Sequence, residues 1–418
     1  MNKLVSYSKK ALNYLVSIGM QVCPPFDIIC LHYLAKKRSN TILKLKPISF
    51  AKYCQMENGR IVIVEKEQER NVYQPQYFPR GEAKEYNFKS HPIYIAELQN
   101  VIVHGASGLV ISDEYALTDI SANDVENRVQ YKCGSIKRGT KKYFYAEVSN
   151  KIEELDEAIN LCGLAAFNYY HLTIEILSRY EYVKKYIGDR AIPVLLDEDA
   201  RRYPQYKELI QMVLKDAKVI YVKPFQRIRC KKLIHPSMNT WMPMNVRKKN
   251  DFRISDNLVA NSAITNIQQA AEEYRLPKSD RKVFISRKQA NFSRIVNEAE
   301  VIQLFKDNGY EIVCTEDLTY RQQVELFSSA TCVVGASGAA LTNVVYCNPG
   351  TVFGCIIPRK YEFCIYSSIA RMVGCDVLFY DAKIKRQGRA ISTEQCIVDI
   401  DECRSYIVRL DKMVKNNN

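Results

Sequence analysis

The sequence predicts an α/β protein made of two doubly wound units, the first preceded by a β-rich region. Three observations predict this. From about residue 158 onward, short β-branched runs alternate with segments of helical period, which implies parallel strands joined by crossover helices. The alternation lapses near Met242 and restarts near residue 280. The chain has 418 residues, more than the roughly 250–300 that one core normally supports.

Taken in order, residues 1–50 are basic. Lys3, Lys9, Lys10, Lys36, Lys37, Arg38, Lys44 and Lys46 stand against Asp27 alone, which gives +7 of the chain's +14. Leu4, Tyr7, Ala11, Leu15 and Ile18 follow helical spacing, with Ser6, Lys10, Asn13 and Ser17 on another face. Such a helix suits an anionic lipid surface, although a solvated helix packed on the body reads the same way. Strands are expected at 61–64, 92–95, 101–103 and 109–111, separated by turn residues. Next come a strand at 158–162, a helix at 171–186, a strand at 192–196, a helix at 206–214 and a strand at 219–222. The polar stretch 242–280 reads as a linker with a connecting helix. Five strands follow, at 282–285, 311–314, 331–334, 351–357 and 376–380, with helices at 297–308, 319–329, 338–347 and 362–373. A last helix, 399–414, is placed to cross back onto the first unit. The expected division is a basic segment 1–59, a domain 60–245, a domain 246–398 and a C-terminal helix 399–418.

Several function classes are excluded. No run approaches the roughly 18–20 apolar residues of a membrane span. Lys9, Lys10 and Asn13 interrupt any secretory pattern. The 14 cysteines are scattered without a CxxC, so a zinc cluster is not expected and reduced thiols of the cytosol are. No basic stripe interleaved with aromatics points to nucleic acid. Neither a P-loop nor a GxGxxG follows the first strand of either unit.

The chemistry gathers at Val333-Val334-Gly335-Ala336-Ser337-Gly338-Ala339-Ala340-Leu341-Thr342-Asn343. A strand that runs through a small-residue turn into a helix offers backbone N–H groups and a helix dipole to an anion. Ligands of doubly wound sheets lie at the carboxyl ends of the strands. There the first strand contributes Ser286-Arg287-Lys288 with Arg294 nearby, and the second contributes Thr315-Glu316. Arginine forks suit bidentate phosphate contact, and Glu316 suits ribose hydroxyls, so the edge reads as a nucleotide diphosphate site. The competing reading is a surface pair between Arg287 and Glu316.

Phe284-Ile285-Ser286-Arg287, Arg294, Asn297-Glu298, Glu316-Asp317-Leu318-Thr319, the Val333 to Asn343 turn and Pro349-Gly350 resemble, in this order, glycosyltransferase family 61. Upstream, Asn168-Tyr169-Tyr170-His171 with Glu175, Leu98-Gln99-Asn100-Val101 and Gly108-Leu109-Val110 are similar to the same family. The resemblance spans about residues 60–360. It implies a GT-B architecture of two Rossmann-like domains. The C-terminal one would bind a nucleotide sugar without an essential metal or other cofactor, through Ser286, Arg287, Arg294, Glu316, Gly335, Ser337, Gly338, Ala339, Leu341, Thr342 and Asn343. The N-terminal one would bind the acceptor, with inversion at the anomeric carbon. Such chemistry needs a base for the acceptor hydroxyl and positive groups for the leaving diphosphate. His171 is the candidate base, and Glu175, one helical turn on, would orient it or act itself.

Three positions depart from the family pattern. Ser337 stands where a histidine is usual, Gly354 lies in a strand that usually carries an acid, and Leu172 replaces an aromatic. Asp197-Glu198-Asp199 imitates the DxD metal motif of another glycosyltransferase fold, but its setting predicts an exposed loop without metal. The expected function is transfer of a sugar to a surface glycan of the capsular or lipopolysaccharide type. The expected partners are a nucleotide sugar, a glycan or lipid-linked acceptor and an anionic membrane surface, with no nucleic acid. A cytoplasmic place at the inner face of a bacterial plasma membrane is expected, because lumenal relatives would need a signal anchor. The rival is a non-catalytic scaffold of the same fold in a polysaccharide assembly complex.

Overall fold

The computed structural model describes residues 24–57, 59–119, 128–129, 131–243, 246–247, 251–288, 293–359, 363–388 and 394–417. The amphipathic pattern at positions 4–18 lies outside these residues. In chain order the strands are β1 (Asn40–Ile48), β2 (Arg60–Glu65), β3 (Glu69–Gln74), β4 (Gln76–Phe78), β5 (Lys84–Lys89), β6 (Ile93–His104), β7 (Leu109–Ser112), β8 (Tyr115–Leu117), β9 (Ile136–Gly139), β10 (Phe144–Ser149), β11 (Ile152–Asn160), β12 (Val194–Asp197), β13 (Val219–Val222), β14 (Arg227–Pro236), β15 (Arg281–Ile285), β16 (Glu311–Val313), β17 (Ala330–Ala336), β18 (Val352–Ile357) and β19 (Asp376–Asp381). The α-helices used below are α1 (Pro24–Lys37), α2 (Phe50–Met56), α3 (Tyr180–Ile187), α4 (Pro204–Leu214), α5 (Asn261–Ala270), α6 (Glu298–Asp307), α7 (Tyr320–Ser329), α8 (Ile365–Met372) and α9 (Ile400–Asn417).

The first half departs from the expected doubly wound form. Its strands join one 11-stranded mixed sheet in the order β13-β12-β11-β14-β6-β7-β8-β1-β10-β9, with β2 also paired to β6. The end from β13 to β14 is parallel, β14 turns the sheet antiparallel by pairing with β6, and further along β8 and β1 again pair in parallel. The two strands expected at 92–95 and 101–103 are one strand. Asn100 adopts φ 53°, so the chain passes through Gln99-Asn100 without leaving the sheet. Pairing along both edges of β6 outweighs the local turn preference of those residues.

The second half follows the predicted pattern closely. Strands β15 to β19 are parallel, in the order β16-β15-β17-β18-β19, which is the order of a doubly wound sheet with its switch point between β15 and β17. Helix α6 is acidic in its first turn, and Thr319 caps α7 with Gln322 returning the bond.

Two connections were not foreseen. β4, from the region assigned to the first domain, pairs in parallel with the edge strand β19. Tyr73 fastens it: its N–H donates to Ser368 Oγ at 3.0 Å, and Ser367 Oγ donates to its carbonyl at 2.6 Å. The expected crossing helix does not cross. α9 lies along the parallel sheet, burying Cys403, Tyr406, Ile407 and Leu410 at helical spacing, and the Tyr406 hydroxyl donates to Leu378 O at 2.7 Å. Helix α5, within the predicted linker, ties the halves together. Asn266 donates to Ser178 O at 3.0 Å and Gln268 to Val345 O at 2.9 Å. One buried cluster runs through both sheets, from Ile159 and Val194 to Val283 and Phe353.

Candidate active site

His171 and Glu175 lie on one turn of π-helix, His171–Ile176, where the Leu177 N–H reaches back to Leu172 O. A 3-10 turn, Leu177–Arg179, then leads into α3. Wide turns of this kind are uncommon and occur often at functional sites. The turn packs against Gly163, where a Cβ would come within 2.9 Å of Ile176. Glu175 Oε2 holds His171 Nδ1 at 2.6 Å, and Thr240 Oγ1 donates to Glu175 Oε1 at 3.0 Å. The imidazole is thereby oriented through one nitrogen, and Nε2 has no hydrogen-bond partner among the described residues. Beneath the pair, the Arg179 guanidinium is buried without an ion pair among the described residues and donates to Pro236 O at 3.1 Å. Burial lowers its pKa to about 10, and the charge of Glu175 counters this most.

The second group of candidate residues lies at the end of β17 and the turn that follows. Gly335 sits in close approach to its neighbours, since a Cβ there would lie 3.1 Å from Ile285 and from Leu341. Ser337 is buried, and its N–H donates to Ile356 O at 3.1 Å. The helix expected at 338–347 is a 3-10 helix, Ala339–Tyr346. Leu341 belongs to the apolar core, and Thr342 and Asn343 are buried. Arg287 lies directly on Gly338, where a Cβ would meet its Nη1 at 2.0 Å. Glu298 holds the arginine's loop in place. Its Oε1 accepts from Arg287 N at 2.7 Å and Ser286 Oγ at 3.2 Å, and its Oε2 accepts from Ser293 Oγ at 3.0 Å. Ser286 therefore supports this loop. Burial lowers the Arg294 pKa, and the neighbouring Arg287 charge lowers it further. Two adjacent cations, one of them largely desolvated, favour an anion between or beside them.

An aromatic residue joins the two groups. The Tyr169 hydroxyl donates to Asn343 Oδ1 at 2.6 Å, and Asn343 donates to Gln323 Oε1 at 2.8 Å. Tyr170 sets its ring edge-on to His171, with centroids 5.3 Å apart. Burial raises the Tyr170 pKa, with Glu175 and then Tyr366 adding to it, whereas Arg294 and Arg287 pull Tyr366 the other way. Of the predicted residues, Glu316 stands apart. It is exposed at the end of β16, its carbonyl accepts from Gln205 at 2.9 Å, and it forms no pair with Arg287.

Sequence reasoning missed the partners that hold these groups. Thr240 lies in a polar stretch with no periodic signal, and Tyr366 lies on a helix face that reads as core. Glu298 was visible as an acid in the first turn of its helix, though not in its role. The DxD-like segment is corrected. Asp197 is buried rather than in an exposed loop, and accepts from Ala106 N at 2.6 Å and Gly163 N at 2.8 Å. Burial raises its pKa to about 6. Gly354 is also explained. A Cβ there would lie 2.4 Å from the Tyr406 hydroxyl, so the position faces α9. Among the described residues, no group of three or more His, Cys, Asp or Glu side chains is placed to hold a metal, and no helix is long and apolar enough to cross a membrane.

Residues 169–354 match the sequence model of the family described as Glycosyltransferase 61, a span that runs from the Tyr169 contact through His171, both arginines and the glycine turn to Gly354. No curated protein matches the chain. Over this segment the chain is similar to glycosyltransferase family 61.

Proposed function

We propose that the chain is an inverting, metal-independent transferase that moves a hexosyl or pentosyl unit from a nucleotide sugar to a growing surface glycan of the capsular or lipopolysaccharide type. The two halves act in the GT-B manner, with the donor on the parallel sheet and the acceptor on the mixed one. Arg287, Arg294 and the turn from Gly335 to Asn343 hold the diphosphate. His171 Nε2 takes the proton of the acceptor hydroxyl. The acceptor oxygen bonds to the anomeric carbon on the face opposite the leaving group. The bond from that carbon to phosphate oxygen breaks, and the nucleoside diphosphate departs with the electron pair toward the arginines. Work takes place at the cytoplasmic face of the membrane, with the basic N-terminal segment on anionic lipid.

One observation carries this reading: a histidine pinned at Nδ1 by a carboxylate lies two residues after Tyr169, whose hydroxyl bonds to Asn343 of the glycine turn on which Arg287 rests. The rival scaffold drew on Ser337 and Gly354 as signs of a dead site. Packing of Gly354 against Tyr406 removes the second of these, since no ligand-facing acid fits there.

Ligand-detected NMR against a panel of nucleotide sugars tests the assignment. Wild type is expected to select one donor. Arg287→Ala should lose about tenfold or more in affinity, the scale of a charge-assisted contact. His171→Ala should keep donor binding while turnover falls by about 10²–10⁴. Failure of every nucleotide sugar to bind wild type would make the scaffold the better reading.

A further inference from the structure

We propose that the cleft built around Trp241 is the seat of uncharged hexose units of the acceptor glycan. The proposal rests on the glycosyl-transfer reading and names a surface that reading leaves unassigned. The cleft has a volume of about 490 Å³, within the roughly 300–1,000 Å³ usual for ligand clefts. Phe88, Trp241 and Met242 give it apolar walls, while Ser49, Thr240 and Ser255 add hydroxyl-bearing side chains to its lining. The Arg70 guanidinium lies over one face of the Trp241 ring, 5.8 Å from its centroid, and the His91 ring stands tilted to it at 6.4 Å, which fixes the indole and leaves its other face to a ligand. A pyranose has the matching anatomy, with a flat C–H face for an aromatic ring and hydroxyls around its edge that need partners.

Charge selects among possible ligands. Lys89 pairs with Glu67 at 2.6 Å and Arg128 with Asp256 at 2.9 Å. Asp119 accepts the Tyr94 hydroxyl and the Phe50 N–H. A phosphate or carboxylate entering the cleft would have to break one of these arrangements, and a neutral sugar would not.

The cleft also leads to Glu175, the partner of the candidate base. A smaller cavity of about 60 Å³ shares Asp119, Met238 and Met242 with it and reaches Glu175 and Arg179. On the cleft wall, Thr240 donates to Glu175, which holds His171. Having given its proton to Glu175, the Thr240 hydroxyl keeps lone pairs that can accept from a sugar hydroxyl. A glycan on Trp241 that bonds to Thr240 therefore lies three hydrogen bonds from the imidazole.

Trp241 is the chain's sole tryptophan, so its fluorescence reports on this cleft directly. The full chain would be titrated with uncharged tetrasaccharides of glucose, galactose, mannose and N-acetylglucosamine, and separately with dodecyl phosphate. A saturable change is expected with at least one tetrasaccharide. Ala51→Tyr, which sets a ring at an exposed position on the cleft wall in α2, should abolish it while donor binding by NMR stays as in wild type. Trp241→Ala should weaken tetrasaccharide binding, read by NMR, by about tenfold or more. A response to dodecyl phosphate alone would identify an apolar-tail site and overturn the proposal. So would silence toward every tetrasaccharide in a protein that still binds its nucleotide sugar. Loss of nucleotide-sugar binding in wild type would count against the transferase reading instead.

Discussion

Gly338 and Arg287 occupy the same small volume, so the glycine has a functional reading that its backbone does not demand. Its φ is 176°, an extended value open to any residue, and what excludes a side chain is the guanidinium 2.0 Å from the missing Cβ. An arginine head is the mobile end of a long side chain and can swing aside without disturbing the fold. Gly338→Ala is therefore expected to lower donor affinity as Arg287→Ala does, with a melting temperature within a degree or two of wild type. Titration calorimetry beside thermal denaturation separates the two effects, and a large fall in melting temperature would show that Gly338 serves packing instead. The same scale explains His171. Its orientation comes from Glu175 and, behind that, from Thr240, which donates to Glu175.

At the scale of elements, the decisive contact joins α9 to β18. The Tyr406 hydroxyl fills the space above Gly354 and donates to Leu378 O at 2.7 Å, which fastens the last helix to the parallel sheet. Both groups are buried, so a methyl at 354 overpacks a site that cannot relax outward. Gly354→Ala is expected to destabilise by about 1–3 kcal/mol. Tyr406→Phe loses one hydrogen bond, about 0.5–1.5 kcal/mol. Combined, the two changes should cost less than their sum, because removing the hydroxyl makes room for the methyl. Chemical denaturation of the four proteins measures the coupling, and strict additivity would mean that α9 and β18 do not compete for that space.

For the whole molecule, the two sheets share one apolar interior. Strand β4 leaves the N-terminal region to complete the parallel sheet, α5 bonds to both halves, and Tyr169 of one half bonds to Asn343 of the other. Separating the halves would expose Ile159 and Val194 on one side and Val283 and Phe353 on the other. Unfolding is expected as a single calorimetric transition with matching calorimetric and van't Hoff enthalpies. Two resolved transitions, only one of them shifted by nucleotide sugar, would show that the halves are independent.

The parallel sheet was legible in the sequence almost strand for strand. Each of its strands is a short buried apolar run between helices of regular period, and both signals lie within about ten neighbouring residues. The Gly335 to Asn343 turn, Arg287, Arg294 and the His171–Glu175 spacing were legible for the same reason: each is a local pattern tied to a local geometry. The mixed sheet was not, because β14 and β6 owe their form to pairing across more than a hundred residues, against the turn preference of Gln99-Asn100. Nor were the place of β4 at the far edge, the path of α9, the burial of Asp197 or the partners Thr240 and Tyr366. Tyr73 meets Ser368, Thr240 meets Glu175 and Gly354 meets Tyr406 only after the chain has folded. By itself, then, the sequence determined the elements with a local period and the chemical groups of the candidate site. The tertiary structure alone decided which groups hold one another, because contacts between distant residues leave no periodic trace in the chain.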